Sequence, residues 1–331
     1  MSSKNAASAS SQSPALSVSP PVEGGKAFVS SWRPECDSAA VQRIETIGSQ
    51  LERGIFPRVF DGGFVAPSVS AIPFSMGAEL NHVRSETSLR LGPWTSGRRT
   101  PGAWASREGA ARTPSETSSI ECTGVPQHYK SELGEVHAAY PGTCVWSSEE
   151  GIWLLSESSV VSGLKQAAVF LTAVSWSFKA ARSWGFWRES SINVRWIGPR
   201  HTNFPDGSVC AFDRDDQTWV YGEPLVNLLD LYSVWALRHL HLNLFRRWPG
   251  PQSVPHPYER RSELKADELC GCESGKQYGA CCLPHDVKRT VVPDAVSFTL
   301  RYLGGVRQPP ACLAQVALCV AEPPPLSTLC W

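Results

Sequence analysis

The sequence predicts an α+β fold over residues 129–250: an antiparallel sheet, an irregular loop, then a helix. Three observations carry that expectation. Nine of the thirteen tryptophans lie between Trp146 and Trp248, which marks where large apolar side chains concentrate. Short runs of apolar, aromatic and β-branched residues recur in the same region, as strands require. One longer run with apolar residues at spacings of three and four follows them.

The strand candidates are, in order, "GIWLLSES", "AAVFLTAVSW", "RSWGFW" and "NVRWIG". A polar stretch rich in turn formers, "HTNFPDGSVCAFDRDDQTW" (His201–Trp219), comes next. In the helix candidate, Leu225, Leu228, Leu229, Tyr232, Trp235, Ala236 and Leu240 share one face. Pro224 suits its first turn, where a missing N–H costs nothing, and Pro249-Gly250-Pro251 ends it.

The flanks read differently. Residues 1–128 form a low-complexity, poorly structured region, because residues 1–29 hold too few large apolar side chains to offset ordering entropy. Inside it, "SAAVQRIETIGSQLERGI" predicts one helix, with Val41, Ile44, Ile47 and Leu51 on a common face. Leu91–Ser119 has neither period and reads as a flexible basic linker rather than a nucleic-acid-binding arm. Residues 251–265 read as a Pro-rich linker, 266–286 as a cysteine-rich module and 287–331 as an irregular tail. Within the tail, "AVSFTLRYLGG" is a strand candidate.

Lysine plus arginine equals aspartate plus glutamate at 31 each, so global charge favours neither nucleic acid nor a membrane surface. No uninterrupted apolar run reaches the ~18 residues of a membrane span, and the N-terminus lacks a signal-peptide core. Eleven cysteines without a secretion signal imply a reducing, cytoplasmic setting, with thiols serving as metal ligands, nucleophiles or buried filler.

Cys210 is the first candidate. By composition alone, a thiol beside a valine in a short apolar run reads as a packed core residue. A nucleophilic role would need partial exposure and nearby oxyanion donors, which Gly207 and the Asn203 amide can supply. The order His201-Thr202-Asn203, Gly207-Ser208-Val209-Cys210, Asp213 to Asp216, Trp219 and Glu223-Pro224 resembles the active-site segment of ubiquitin-conjugating enzymes. The approach "WIGPRHTNFPDG" looks more specifically like the bacterial relatives of that family found in antiphage and ubiquitin-like modification operons. Thr202 stands where the family has a proline, and Asn203 lies one residue nearer the cysteine. The resemblance implies a UBC-like domain in which Cys210 carries a ubiquitin-like protein as a thioester, received from an activating enzyme. Asn203 then either reaches the thioester oxyanion or staples the loop, and His201 is a structural turn residue rather than a general base. Trp219 reads as core packing.

The second candidate is "CGCESGKQYGACC", with Cys270, Cys272, Cys281 and Cys282 spaced as Cys-x-Cys, eight residues, Cys-Cys. Four thiolates in thirteen residues around a Ser-Gly turn can close a tetrahedral zinc shell. Two disulfides are the competing reading, disfavoured in a reducing compartment. His285 competes with Cys282 as fourth ligand, and Cys282 is preferred. The stretch resembles the SEC-C motif, a small zinc knuckle, with Glu273 where that motif usually has glycine and Leu269 and Gly271 where prolines flank the first cysteine. The resemblance implies a structural zinc and a protein partner for the knuckle. Nucleic acid is a poor fit, because the neighbourhood is not strongly basic. Two functions are therefore expected in competition: a conjugating-type enzyme acting through Cys210, or an inactive UBC-like scaffold whose knuckle makes the contacts.

Overall fold

The computed structural model describes residues 32–68, 127–212, 218–301 and 307–331. It is mixed α and β, with a five-stranded antiparallel meander at its centre. The strands are β3 (Cys144–Ser147), β4 (Gly151–Ser158), β5 (Ala168–Ser175), β6 (Ala180–Arg188) and β7 (Val194–Trp196), each paired with the next in the chain. The four candidate runs account for β4 to β7. The edge strand β3 completes the sheet, pairing Cys144 with Leu155 and Ser147 with Ile152.

The three longest helices among the described residues are α1 (Ser38–Glu52) and α2 (Gln127–Ala139), which precede the sheet, and α3 (Leu225–Phe245), which follows it. α1 occupies the run predicted to be helical. Its N-cap Asp37 accepts from Ala40 N at 2.7 Å, and Ile44, Ile47 and Leu51 are buried against the sheet's first core. A small hairpin, β1 (Arg58–Phe60) with β2 (Phe64–Ala66), joins it. The expectation of a poorly structured region therefore fails for residues 32–68. An apolar helical stripe with a good cap buries enough surface to fold in an otherwise polar neighbourhood. Residues 69–126, including the basic stretch, lie outside the described residues, as do Asp213–Asp216.

α3 begins at Leu225, with Pro224 at its N-cap rather than in its first turn, and Leu225 N donates to Glu132 of α2 at 3.0 Å. It ends at Arg246, which adopts the left-handed conformation (φ 60°). Ile152, Leu154, Phe170 and Trp187 pack toward α1 and α3. The opposite sheet face, Trp153, Leu155, Leu171 and Trp184, is also buried. Its cover is α7 (Ala311–Ala317) with Leu326, so residues 311–326 form the third layer of the domain, not an irregular tail. The reason is the β5 sequence: every residue from Ala168 to Ser175 is buried, and such a strand needs protein on both faces.

The expected linker is likewise ordered. It contains α4 (Pro257–Glu263), capped by His256, and buries Val254 and Leu264 against the cysteine module. A short α5 (Leu283–Asp286) closes that module, and α6 (Val291–Arg301) follows. The strand expected in "AVSFTLRYLGG" is helical through Arg301. Arg289 and Arg261 both hold Asp294 in the first turn of α6, which fixes the helix start. No helix among the described residues is long and apolar enough to cross a membrane.

Candidate metal centre and the Cys210 hairpin

Residues 268–278 fold back on themselves. Cys270 N donates to Lys276 O at 2.8 Å, and Tyr278 N to Glu268 O at 2.8 Å. This reversal brings Cys270 and Cys272 to the pair Cys281 and Cys282, with all four sulfurs within 4.8 Å of one another. Cys272 Sγ lies 3.5 Å from Cys281 Sγ, and Cys281 Sγ lies 3.9 Å from Cys282 Sγ. A tetrahedral thiolate shell with ~2.3 Å metal–sulfur bonds separates its sulfurs by about 3.8 Å. A disulfide would need about 2.05 Å. The ten described cysteines form no disulfide, and the four sulfurs can hold one metal ion.

The thiols are unequal. The Ser274 hydroxyl pushes Cys272 down to about 6, whereas burial raises Cys270 and Cys282. Four sulfurs this close cannot all carry negative charge without a cation between them. Behind them, Asp286 receives both Arg260 Nε and Nη2 at 2.8 Å and the Tyr278 hydroxyl at 3.1 Å. That buried network holds the Cys281-Cys282 turn from below. Glu273 sits at φ 63°, a conformation glycine adopts freely and glutamate does not. Gly271 has no room for a side chain, since an added Cβ would meet Val254 N at 2.9 Å.

Cys210, Asn203 and His201 share one small hairpin. Thr202 pairs with Val209, Asn203 N donates to Ser208 O at 2.7 Å and Cys210 N to His201 O at 3.0 Å. The hairpin is fastened to β6 through Val209 N to Ser183 O (2.7 Å) and a buried Arg182–Asp206 ion pair at 3.0 Å. The Asn203 amide donates to Val209 O at 3.0 Å and Ser208 Oγ at 3.3 Å, so it staples the loop. His201 stacks on Trp248 with ring centroids 4.0 Å apart, and its Nε2 faces Gln252 at 3.3 Å. Burial, then the neighbouring Arg200, holds its pKa well below the usual histidine value, so the ring is neutral and structural. Cys210 itself is half-buried. Trp219 is buried, as expected of a core residue.

Sequence reasoning missed the link between the two sites. Arg200, next to His201, donates to Glu268 at 3.0 and 2.6 Å and to Gln252 at 2.6 Å. Arg200 and Glu268 side chains are 3% and 0% exposed. Gln252 Nε2 in turn donates to Leu269 O at 2.7 Å, and Ser253 bridges Cys272. The cysteine module is thus bolted to the Cys210 hairpin through buried charge. Partners 68 residues apart leave no local signature in the sequence. Comparison of the chain with family models, curated proteins and solved structures found no match.

Proposed function

We propose that this chain is a zinc-knuckle protein that carries a ubiquitin-like protein as a thioester on Cys210. The observation that supports this most is the Cys210 hairpin. It pins the backbone at Cys210 and the preceding Val209 by hydrogen bonds while leaving the thiol half-buried at a loop position, where a partner polypeptide can reach it. In the reaction the Cys210 thiolate attacks an activated acyl group delivered by an activating enzyme. The S–C bond forms as that enzyme's own leaving group departs, and a lysine amine of the acceptor later takes the acyl group and releases the thiol. Zinc at Cys270, Cys272, Cys281 and Cys282 is structural, because four protein ligands leave no open position. The exposed turn from Cys272 to Gln277 is the surface this reading gives to a protein partner of the knuckle. The setting is a reducing, cytoplasmic one, and the resemblance to antiphage modification proteins supplies the biological context.

The scaffold reading has one specific observation in its favour: Asn203 and His201 are spent on holding the hairpin. Two measurements decide between them. Tagged wild type, Cys210→Ser and Cys210→Ala chains are expressed in the native host and run on gels with and without reductant. The carrier reading requires a wild-type adduct lost with thiol, an ester that survives thiol in the serine variant, and nothing in the alanine variant. Absence of every adduct, while metal analysis still finds one zinc per chain and none in Cys270→Ser, gives the scaffold reading.

A further inference from the structure

Along one face of α3, Leu231, Val234, Trp235 and Arg238 line a small cleft with Phe56 and Ala211. Ala211 follows Cys210 directly. The cleft is tied to the thiol's own hairpin, because Trp235 Nε1 donates at 2.9 Å to His201 O, the carbonyl that also accepts from Cys210 N. Its walls are apolar apart from one group, the Arg238 guanidinium.

Two guanidiniums flank Trp248, Arg200 at 5.5 Å and Arg238 at 5.9 Å from the ring centroid. Arg200 is neutralised by Glu268. Arg238 pairs with no carboxylate and makes no hydrogen bond among the described residues, and its Nε is buried. Burial lowers its pKa to about 10, which leaves it protonated at neutral pH. The Trp248 face offsets part of the cost of this charge. A half-buried cation with no carboxylate partner among the described residues is only partly solvated, and an entering anion would pair with it.

We propose that this cleft is a carboxylate-binding site in which Arg238 receives the C-terminal carboxylate of a polypeptide beside Cys210. A guanidinium fork matches a carboxylate with two parallel hydrogen bonds, and the apolar side chains around it exclude competing water. The Asn203 amide is committed within the hairpin, whereas Arg238 lines the cleft that Ala211 also lines. Only the identity of the natural ligand rests on the carrier reading. The cleft itself does not.

The test compares alkylation of the full, metal-loaded chain by iodoacetate and iodoacetamide, followed by peptide mass spectrometry. In each case the thiolate displaces iodide, and the reagents differ only in carrying or lacking a carboxylate. Exposed Cys312 and Cys330 serve as internal references. The iodoacetate-to-iodoacetamide rate ratio at Cys210 is expected about tenfold above theirs, the scale of one partly screened charge nearby. Arg238→Met brings it to the reference value, and Arg238→Lys keeps most of the excess. A short peptide with a free C-terminus protects Cys210, while its C-terminal amide does not. A wild-type ratio equal to the references overturns the site without need of any variant. So does an excess that persists in Arg238→Met, or equal protection by peptide acid, peptide amide and inorganic phosphate. A missing thioester in the host leaves this ratio untouched, so the two readings fail separately.

Discussion

Glu268→Gln probes the bolt between the cysteine module and the Cys210 hairpin. Glu268 accepts four hydrogen bonds: two from Arg200, one from Trp248 N at 2.7 Å and one from Lys265 N at 3.2 Å. The glutamine keeps the shape but loses the charge, leaving buried Arg200 hydrogen-bonded to neutral groups alone, Gln252 and the new amide. Breaking a buried ion pair from one side costs about 3–5 kcal/mol, because the remaining charge is uncompensated. Arg200→Met leaves Glu268 its two backbone donors and is expected to cost less, about 2–3 kcal/mol. The double variant removes both charges and should cost well under the sum of the two, with a coupling of at least ~2 kcal/mol. Urea unfolding of the four metal-loaded chains, followed by tryptophan fluorescence, measures the cycle. If Glu268→Gln costs under ~1 kcal/mol, or the two single effects simply add, the bolt carries no stability and the argument from burial is wrong.

Glu273→Gly releases a side chain from the left-handed region (φ 63°). It should stabilise the metal-loaded chain by about 1 kcal/mol, a rise of roughly 2–4 °C in Tm by calorimetry. His239 is buried, and desolvation pushes its pKa down to about 3. The folded state therefore binds fewer protons than the unfolded one, so its stability contribution is full above about pH 6.5 and drains as pH falls toward 3. The slope is limited to about 1.4 kcal/mol per pH unit, and His239→Phe should flatten it in urea titrations taken across that window. Gly271→Ala should disorder the knuckle without touching a ligand, since an added Cβ meets Val254 N at 2.9 Å. A fall in zinc retention under chelator, with Cys270, Cys272, Cys281 and Cys282 all intact, checks it.

Elements whose stabilising partners lie close in the chain were legible in advance. β4 to β7 are apolar runs that pair with their immediate neighbours, and α1 and α3 carry their own stripes and stops. The four sulfurs are legible for the same reason, because thirteen residues and one turn bring them together. The tail could not be read this way. Leu313, Val316 and Leu326 look unremarkable until β5 is seen to need cover on its second face.

For the candidate site, residue order marked the Cys210 hairpin and the cysteine module by themselves. It left open whether the Asn203 amide faces a substrate or the loop, and the tertiary structure turns it onto Val209 and Ser208. It gave no sign that Arg200 reaches Glu268 or that Arg238 and Ala211 line one cleft, with no carboxylate on Arg238 among the described residues. Local spacing determines which groups one turn or one helix face can bring together. The burial of a charge, and the partner it finds there, depends on which distant segments pack over it, and only the folded chain decides that.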